Sequence, residues 1–292
     1  MSGYILRRAG KDKSTCVALA ETATSPISVH TNRPSTRRRA RDRQAASVVF
    51  RWGCTSQIEQ GAEGRMIVNE PNAIHRVNDK ARFRQLIDSK PYCPATYFFK
   101  DRIVYPAVLR PDHHAQGEFL YIVKNAKELE ECLEELLKAG KTGWYASEII
   151  KKDKEFRVFI VSGRAVWVAE KQVEDKTQFA WNVEKGGKFV NVRFSKWPLK
   201  AVKACIDAFL ATGLDFGAVD VIVSDKGSPY VLEINSAPTI TSPYRQQATA
   251  KAFDYVMKNG KELIPLKEER GGYSKFAHPA VLSGKEEPAN NG

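Results

Sequence analysis

Apolar positions recur along this chain with periods of about two and about 3.6 residues, and together these mark out most of its elements. Tyr4–Arg8 predicts a short strand, Ser14–Thr22 a helix, and the β-branched, aromatic run Ser47–Trp52 a second strand. A helix opens near Asn78, a good capping residue, with Phe83, Leu86 and Ile87 on one apolar face. Lys90-Pro-Tyr-Cys-Pro94 stops it. Ile103–Arg110, Glu118–Val123 and Trp144–Ile150 read as strands. Between the last two, Ala126–Ala139 is an amphipathic helix with Leu129, Cys132, Leu133, Leu136 and Leu137 on one side, closed by Gly140. FRVFIV (156–161) and RAVWVAEK (164–171), separated only by Ser162-Gly163, predict a hairpin. Pro198–Thr212 is helical and ends at Gly213. FGAVDVIV (216–223) and YVLEIN (230–235) are strands joined by a polar turn, and 245–258 is helical. Residues 266–292, rich in Lys, Glu, Gly, Pro and Asn, read as a disordered tail.

Composition narrows the class. A chain of 292 residues, 42% hydrophobic and 27% charged, is long enough for two or three lobes with more than one core. No apolar run approaches the roughly 18 residues that a membrane span needs. The first residues lack the apolar centre of a secretory signal. The five scattered cysteines show no zinc spacing, so reduced thiols in a cytoplasmic protein are expected. Charge is uneven: residues 1–90 carry 17 Lys and Arg against 8 Asp and Glu, whereas the remainder carries 29 against 26. The densest basic run spans Arg33 to Arg43. It suits an anionic partner at the N-terminal lobe, and a solvated basic loop explains it equally.

Candidate chemistry concentrates on the last strand pair. Asp220, Glu233 and Asn235 interrupt otherwise apolar strands, where carboxylates are costly unless paired or metal-bound. Glu233 and Asn235 are two apart and share a face. If the turn at 224–229 closes an antiparallel pair, Asp220 faces them and three oxygen ligands converge, a set suited to magnesium on nucleotide phosphates. The alternative is an edge-strand face simply exposed to water.

LDFGAVDVI (214–222) followed by VLEINSAPT (231–239) resembles the ATP-grasp superfamily, in its carboxylate–amine ligase branch with ribosomal-protein glutamate ligases, glutathione synthetases and D-alanine–D-alanine ligases. There a strand bearing Asp precedes a strand ending E-[VI]-N-x-x-P. The resemblance covers about residues 75–258. Asn78-Asp79-Lys80 and Pro94-Ala-Thr96 match the opening of the core, and Tyr145–Ile150 is similar to its hinge. It implies an α+β ATP-grasp fold, two lobes gripping ATP, preceded by a small α/β lobe. The expected divisions are 1–75, 76–150, 151–265 with the metal site, and the tail 266–292.

The resemblance also implies roles. Glu148 meets the adenine amino group, and the backbone at Ile149 and Ile150 holds the ring. Glu155 holds the ribose, and Arg157 contacts phosphate or the acyl intermediate. Asn182, followed by Gly186-Gly187, lies near the reacting phosphate, and Lys171 contacts phosphate or substrate. Asp220, Glu233 and Asn235 hold two magnesium ions, or manganese. Where the family usually has Lys and a Gly-rich flap, this chain has Arg110 and then Pro111–Gly117, so Arg110, His114 and Gln116 are the phosphate contacts expected there, with His113 a further candidate. Arg51, beside Trp52, is a candidate for the acceptor's carboxylate, and packing is the commoner role at such a position.

The implied reaction joins a carboxylate donor to an amine acceptor (an amino acid, a peptide or a protein terminus) through an acyl phosphate, giving ADP and phosphate. Two alternatives share the nucleotide residues: an ATP-grasp kinase, and a basic nucleic-acid-associated module with weak turnover.

Overall fold

The structure, a computed structural model, describes residues 1–33, 43, 45–56, 64–113, 118–174, 179, 181, 187–265 and 271–282. Thirteen strands form three sheets among these residues. β1 (Gly3–Arg7), β2 (Ile27–Thr31), β3 (Val48–Trp52) and β4 (Met66–Val68) make a parallel sheet in the order β2-β1-β3-β4. β1 and β3 are buried throughout, as expected of parallel strands covered on both faces. Helix α1 (Lys13–Thr22) links β1 to β2.

After β4 come α2 (Pro71–Asn78) and α3 (Lys80–Leu86). Only one helix is legible there in the pattern. Pro71, at the first helical position, starts α2, and Asp79 rather than Asn78 caps α3, its side chain accepting from the Arg82 N–H at 2.9 Å. Phe83 and Ile87 are fully buried, while Leu86 is exposed.

β5 (Thr96–Tyr97), β6 (Ala107–Pro111), β7 (Tyr121–Val123) and β8 (Trp144–Glu148) form an antiparallel sheet, order β5-β8-β6-β7. Three strands are shorter here than the pattern predicts, β8 ending at Glu148 rather than Ile150. Pro106 has no N–H for a ladder, so β6 starts after it, and Phe119 takes a positive φ of 52° that breaks β7. Helix α4 (Ala126–Lys138) covers this sheet, capped by Asn125, whose side chain accepts from the Glu128 N–H. Leu129 and Leu136 pack with Ala107, Leu109, Val123 and Ala146 in a small separate core.

The third sheet is antiparallel, order β11-β10-β9-β12-β13: β9 (Lys152–Val161), β10 (Arg164–Gln172), β11 (Lys188–Asn191), β12 (Phe216–Ser224) and β13 (Pro229–Asn235). The expected β9–β10 hairpin turns through Ser162 and Gly163, both at positive φ. Helix α5 (Leu199–Thr212) covers one face, and α6 (Pro243–Asn259) packs beside β10.

The first and third sheets share one core. Trp52 of β3 stacks on Phe216 and Phe159, and Phe253 of α6 stacks on Phe50. Asn69 adds a polar clamp: its side-chain oxygen accepts from the Asp215 and Phe216 N–H groups at 2.7 and 3.0 Å. Arg51 is 1% exposed and donates to the carbonyls of Cys54 and Ser56, so it braces the β3 end; the acceptor-binding role considered for it is not met.

The tail is also corrected in part. Residues 271–282 include α7 (Pro279–Leu282), and Ala277, His278 and Val281 are buried. The His278 N–H reaches the Ala165 carbonyl at 2.7 Å. Phe276, Ala277 and Val281 supply the apolar contacts that the surrounding polar composition hid. Most of the Arg-rich run lies outside the described residues; within them, Arg43 is buried and donates to the Thr31 carbonyl.

Gly53, after β3, has φ 62°, and a Cβ there would come within 2.7 Å of Ala237 Cβ, just beyond β13. Gly53→Ala should therefore lower stability by about 1–3 kcal/mol, read by thermal or urea unfolding.

Candidate functional site

Register brings the polar residues of the third sheet onto one face. In an antiparallel pair, directly opposed residues share a face. Arg157 pairs with Asp220 across β9 and β12, and Asp220 with Glu233 across β12 and β13. Lys171 pairs with Glu155 across β10 and β9, and with Phe189 across β10 and β11. Further along this face, Trp167, Phe159 and Phe216 are roofed by Trp52 and Phe253. One face thus has an apolar end under the first sheet and a polar end beside it.

The polar end is tightly linked. Arg157 donates two parallel hydrogen bonds to Asp220, Nε to Oδ1 at 2.6 Å and an Nη to Oδ2 at 2.7 Å. Burial works against the Arg157 charge, but Asp220, Glu233 and Glu155 more than offset it and hold its pKa above the usual value. Asn235 Nδ2 donates to Glu233 Oε1 at 3.0 Å and to Asp220 Oδ2 at 3.3 Å. The three expected metal residues therefore meet, and the reading of them as merely water-exposed does not hold for Asp220, which is 7% exposed.

Two carboxylates and an amide form a hard-oxygen donor set of the kind that holds a divalent cation jointly with nucleotide phosphates. Among the described residues no group of three or more His, Cys, Asp or Glu could hold a metal unaided. Asp220, Glu233 and Asn235 fit a cation whose remaining ligands come from phosphate or water.

Glu155 is buried and accepts from both Lys171, at 2.7 Å, and Lys152, at 3.2 Å. Lys152 also lies 4.2 Å from the Trp181 ring centroid. Burial lowers the Lys152 pKa, with Glu155 opposing the shift.

The second sheet meets this site from the other side. Tyr145 of β8 opposes Arg110 of β6. Desolvation raises the Tyr145 pKa, with the charges of Arg84 and Arg110 opposing the shift and that of Glu233 adding to it. Lys80, at the start of α3, donates to the Ile234 carbonyl at 3.0 Å and lies 3.9 Å from Glu233. Glu148 Oε1 accepts from the Ala95 N–H at 2.8 Å, closing the β5–β8 edge. Ile149 and Ile150, half-buried, form the short link from β8 to β9. His113 is exposed, with Nδ1 3.2 Å from the Asn78 carbonyl. His114, Gln116 and Asn182 lie outside the described residues.

Lys80, Tyr145 and Lys152 lie within the sequence motifs but were given no role there, and Arg84 and Arg245 were passed over. Arg245 carried a signal: a cation in the first turn of a helix, where acidic residues are favoured.

Comparison with known proteins accords with this geometry. The chain is similar to proteins named "Probable alpha-L-glutamate ligase" from Vibrio vulnificus (strain YJ016), 27% identical with 88% of this chain and 91% of that protein covered. A relative from Pseudoalteromonas atlantica, "Probable alpha-L-glutamate ligase 2", is also 27% identical over the same shares. The fold is that of the D-alanine–D-alanine ligase from Bacillus anthracis complexed with ATP, with TM-score 0.64, 15% identity and coverage of 89% and 96%. It is shared with a Chryseobacterium gregarium RiPP-associated ATP-grasp ligase, with TM-score 0.59, 16% identity and coverage of 86% and 96%. Residues 93–255 match the RimK-like ATP-grasp domain, and the chain belongs to that family.

Proposed function

We propose that this ATP-dependent carboxylate–amine ligase joins an amino-acid carboxylate to an amine using the cross-strand site on the third sheet. The observation that carries the assignment of residues is the row Arg157–Asp220–Glu233, with Asn235 bridging the two carboxylates. The relatives' printed name supports glutamate as one partner, as donor or as acceptor.

A carboxylate is a poor electrophile at neutral pH, so its oxygen attacks the γ-phosphorus of ATP and ADP leaves. The amine nitrogen then attacks the acyl carbon, phosphate leaves, and the nitrogen's proton passes to solvent. Asp220, Glu233 and Asn235 would hold magnesium, one ion or two, whose chemistry is neutralisation of charge on the transferring phosphoryl oxygens. Arg157 supplies a fixed cation beside it, already oriented by Asp220. Lys171 and Lys152, fixed by Glu155, extend the positive surface, and Arg110 closes it from the second sheet. Ile149 and Ile150, linking the two sheets, are where an adenine would lie, with Glu148 at its edge. Glu155 is engaged by two lysines, so a ribose contact there is made alongside them. Asn182, His114 and Gln116 complete the proposed phosphate contacts. Fixed cations of this kind serve phosphoryl transfer to a hydroxyl equally, so product chemistry separates ligase from kinase.

Glu233→Gln should abolish magnesium-dependent ATP turnover with little change in Tm, because its side chain is 25% exposed and lies at the sheet edge. Asp220→Ala should also abolish turnover but cost about 3 kcal/mol of stability, because part-buried Arg157 loses both of its hydrogen bonds to a carboxylate. Full activity in either variant would overturn the site. Phosphate release should be low with ATP alone and rise when L-glutamate is supplied with amino acids or peptides, with mass spectrometry detecting an amide. A phosphorylated hydroxyl product would favour the kinase instead.

A further inference from the structure

Arg245 has no part in the reaction as drawn, yet it sits against the same site. It occupies the first turn of α6 and is 7% exposed. Its guanidinium carbon lies 5.5 Å from the Trp167 ring centroid and 5.9 Å from that of Phe189. Both rings are on the site face, and Phe189 also carries Arg157, at 4.6 Å, and Lys171, at 5.6 Å. Arg157 and Lys171 each have a carboxylate partner. Among the described residues Arg245 has none: its Nε is buried without a hydrogen bond, and no acidic side chain pairs with it.

This is an expensive arrangement. Burial, and then repulsion from Arg157, lowers the Arg245 pKa to about 10, so the group still carries its charge at neutral pH. The aromatic faces offset only part of the desolvation. Position adds to the cost, because the N-terminal end of a helix is already positive, and this one has no acidic residue in its first turn. Ser242, before the helix, makes no capping hydrogen bond. A buried cation in the first turn of a helix, whose N-terminal end is itself positive, creates a demand for an anion that the described protein does not meet.

Asp220 and Glu233, with Arg157 and Lys80 beside them, form the end of the site suited to a cation and phosphates, and Arg245 lies on the opposite side of Arg157, toward β10 and β11. Its planar fork suits a carboxylate held by two parallel hydrogen bonds. Resting on the ligase reading above, we propose that Arg245 is the anchor for a carboxylate of the amino-acid substrate rather than for the nucleotide.

Thermal unfolding of the full chain tests this with MgADP and L-glutamate as probes, in wild type, Arg245→Met and Arg245→Lys. Without ligand, Arg245→Met should unfold at or above the wild-type Tm, because an uncompensated charge has been removed. MgADP should raise Tm equally in all three. L-glutamate added to MgADP should raise the wild-type Tm further, leave Arg245→Met unmoved, and require about tenfold more ligand in Arg245→Lys. A clearly lower Tm for unliganded Arg245→Met would mean that the charge is already paired and would overturn the proposal. So would a glutamate shift equal in wild type and Arg245→Met, or absent from wild type. Failure of the ligase reading is seen separately in wild type, as no MgADP shift or as a phosphorylated hydroxyl in place of an amide product.

Discussion

Asp220 sits 7% exposed in the middle of an antiparallel sheet, and that position is tolerable because Arg157 meets it with two parallel hydrogen bonds across β9 and β12. The pair also orders its neighbours. Glu233 is brought opposite Asp220 on β13, and Asn235 bridges the two carboxylates. Removing one partner would leave the other charged and desolvated, which is why the interaction is at once structural and chemical.

The rest of the molecule is arranged around the face that carries this pair. Its apolar end is occupied by Phe159, Trp167 and Phe216 and roofed by the first sheet through Trp52. Gly53 allows the segment after β13 to approach that roof closely, since a side chain there would meet Ala237. The second sheet, with its own core around Leu109 and Leu129, pairs Arg110 with Tyr145, whose hydroxyl senses the charge of Glu233. A small sheet with a separate core, joined to the large one by the short link 149–151, is a construction that permits the two to grip a ligand between them.

The cations of the face differ in their state. Arg157, Lys171 and Lys152 are held by carboxylates of the protein, so their positions are set before any ligand arrives. Among the described residues Arg245 is held by aromatic rings without a carboxylate. Preoriented cations suit charge that shifts during phosphoryl transfer, whereas an uncompensated one gains most from a ligand that brings its own negative charge.

Much of this was legible along the chain. The strands around Asp220 and Glu233, the Ser162-Gly163 turn, the helix ending at Gly140 and the convergence of Asp220, Glu233 and Asn235 all follow from local rules: strand alternation, turn chemistry and the high cost of burying a charge. Other features were invisible because their signals are non-local. α2 and the short strands β2, β4, β5 and β11 have little periodicity of their own and are stabilised by neighbours distant in sequence. Arg51 looked available for substrate, but the turn at 54–56 folds back and takes its hydrogen bonds. The buried stretch 271–282 was masked by polar residues around a few apolar ones. The sequence by itself determined which residues are chemically costly to bury and which motif order they follow. Only the tertiary structure decided their partners, because strand register and the packing of α6 on the sheet determine that Arg157 meets a carboxylate and that Arg245, among the described residues, meets aromatic faces instead.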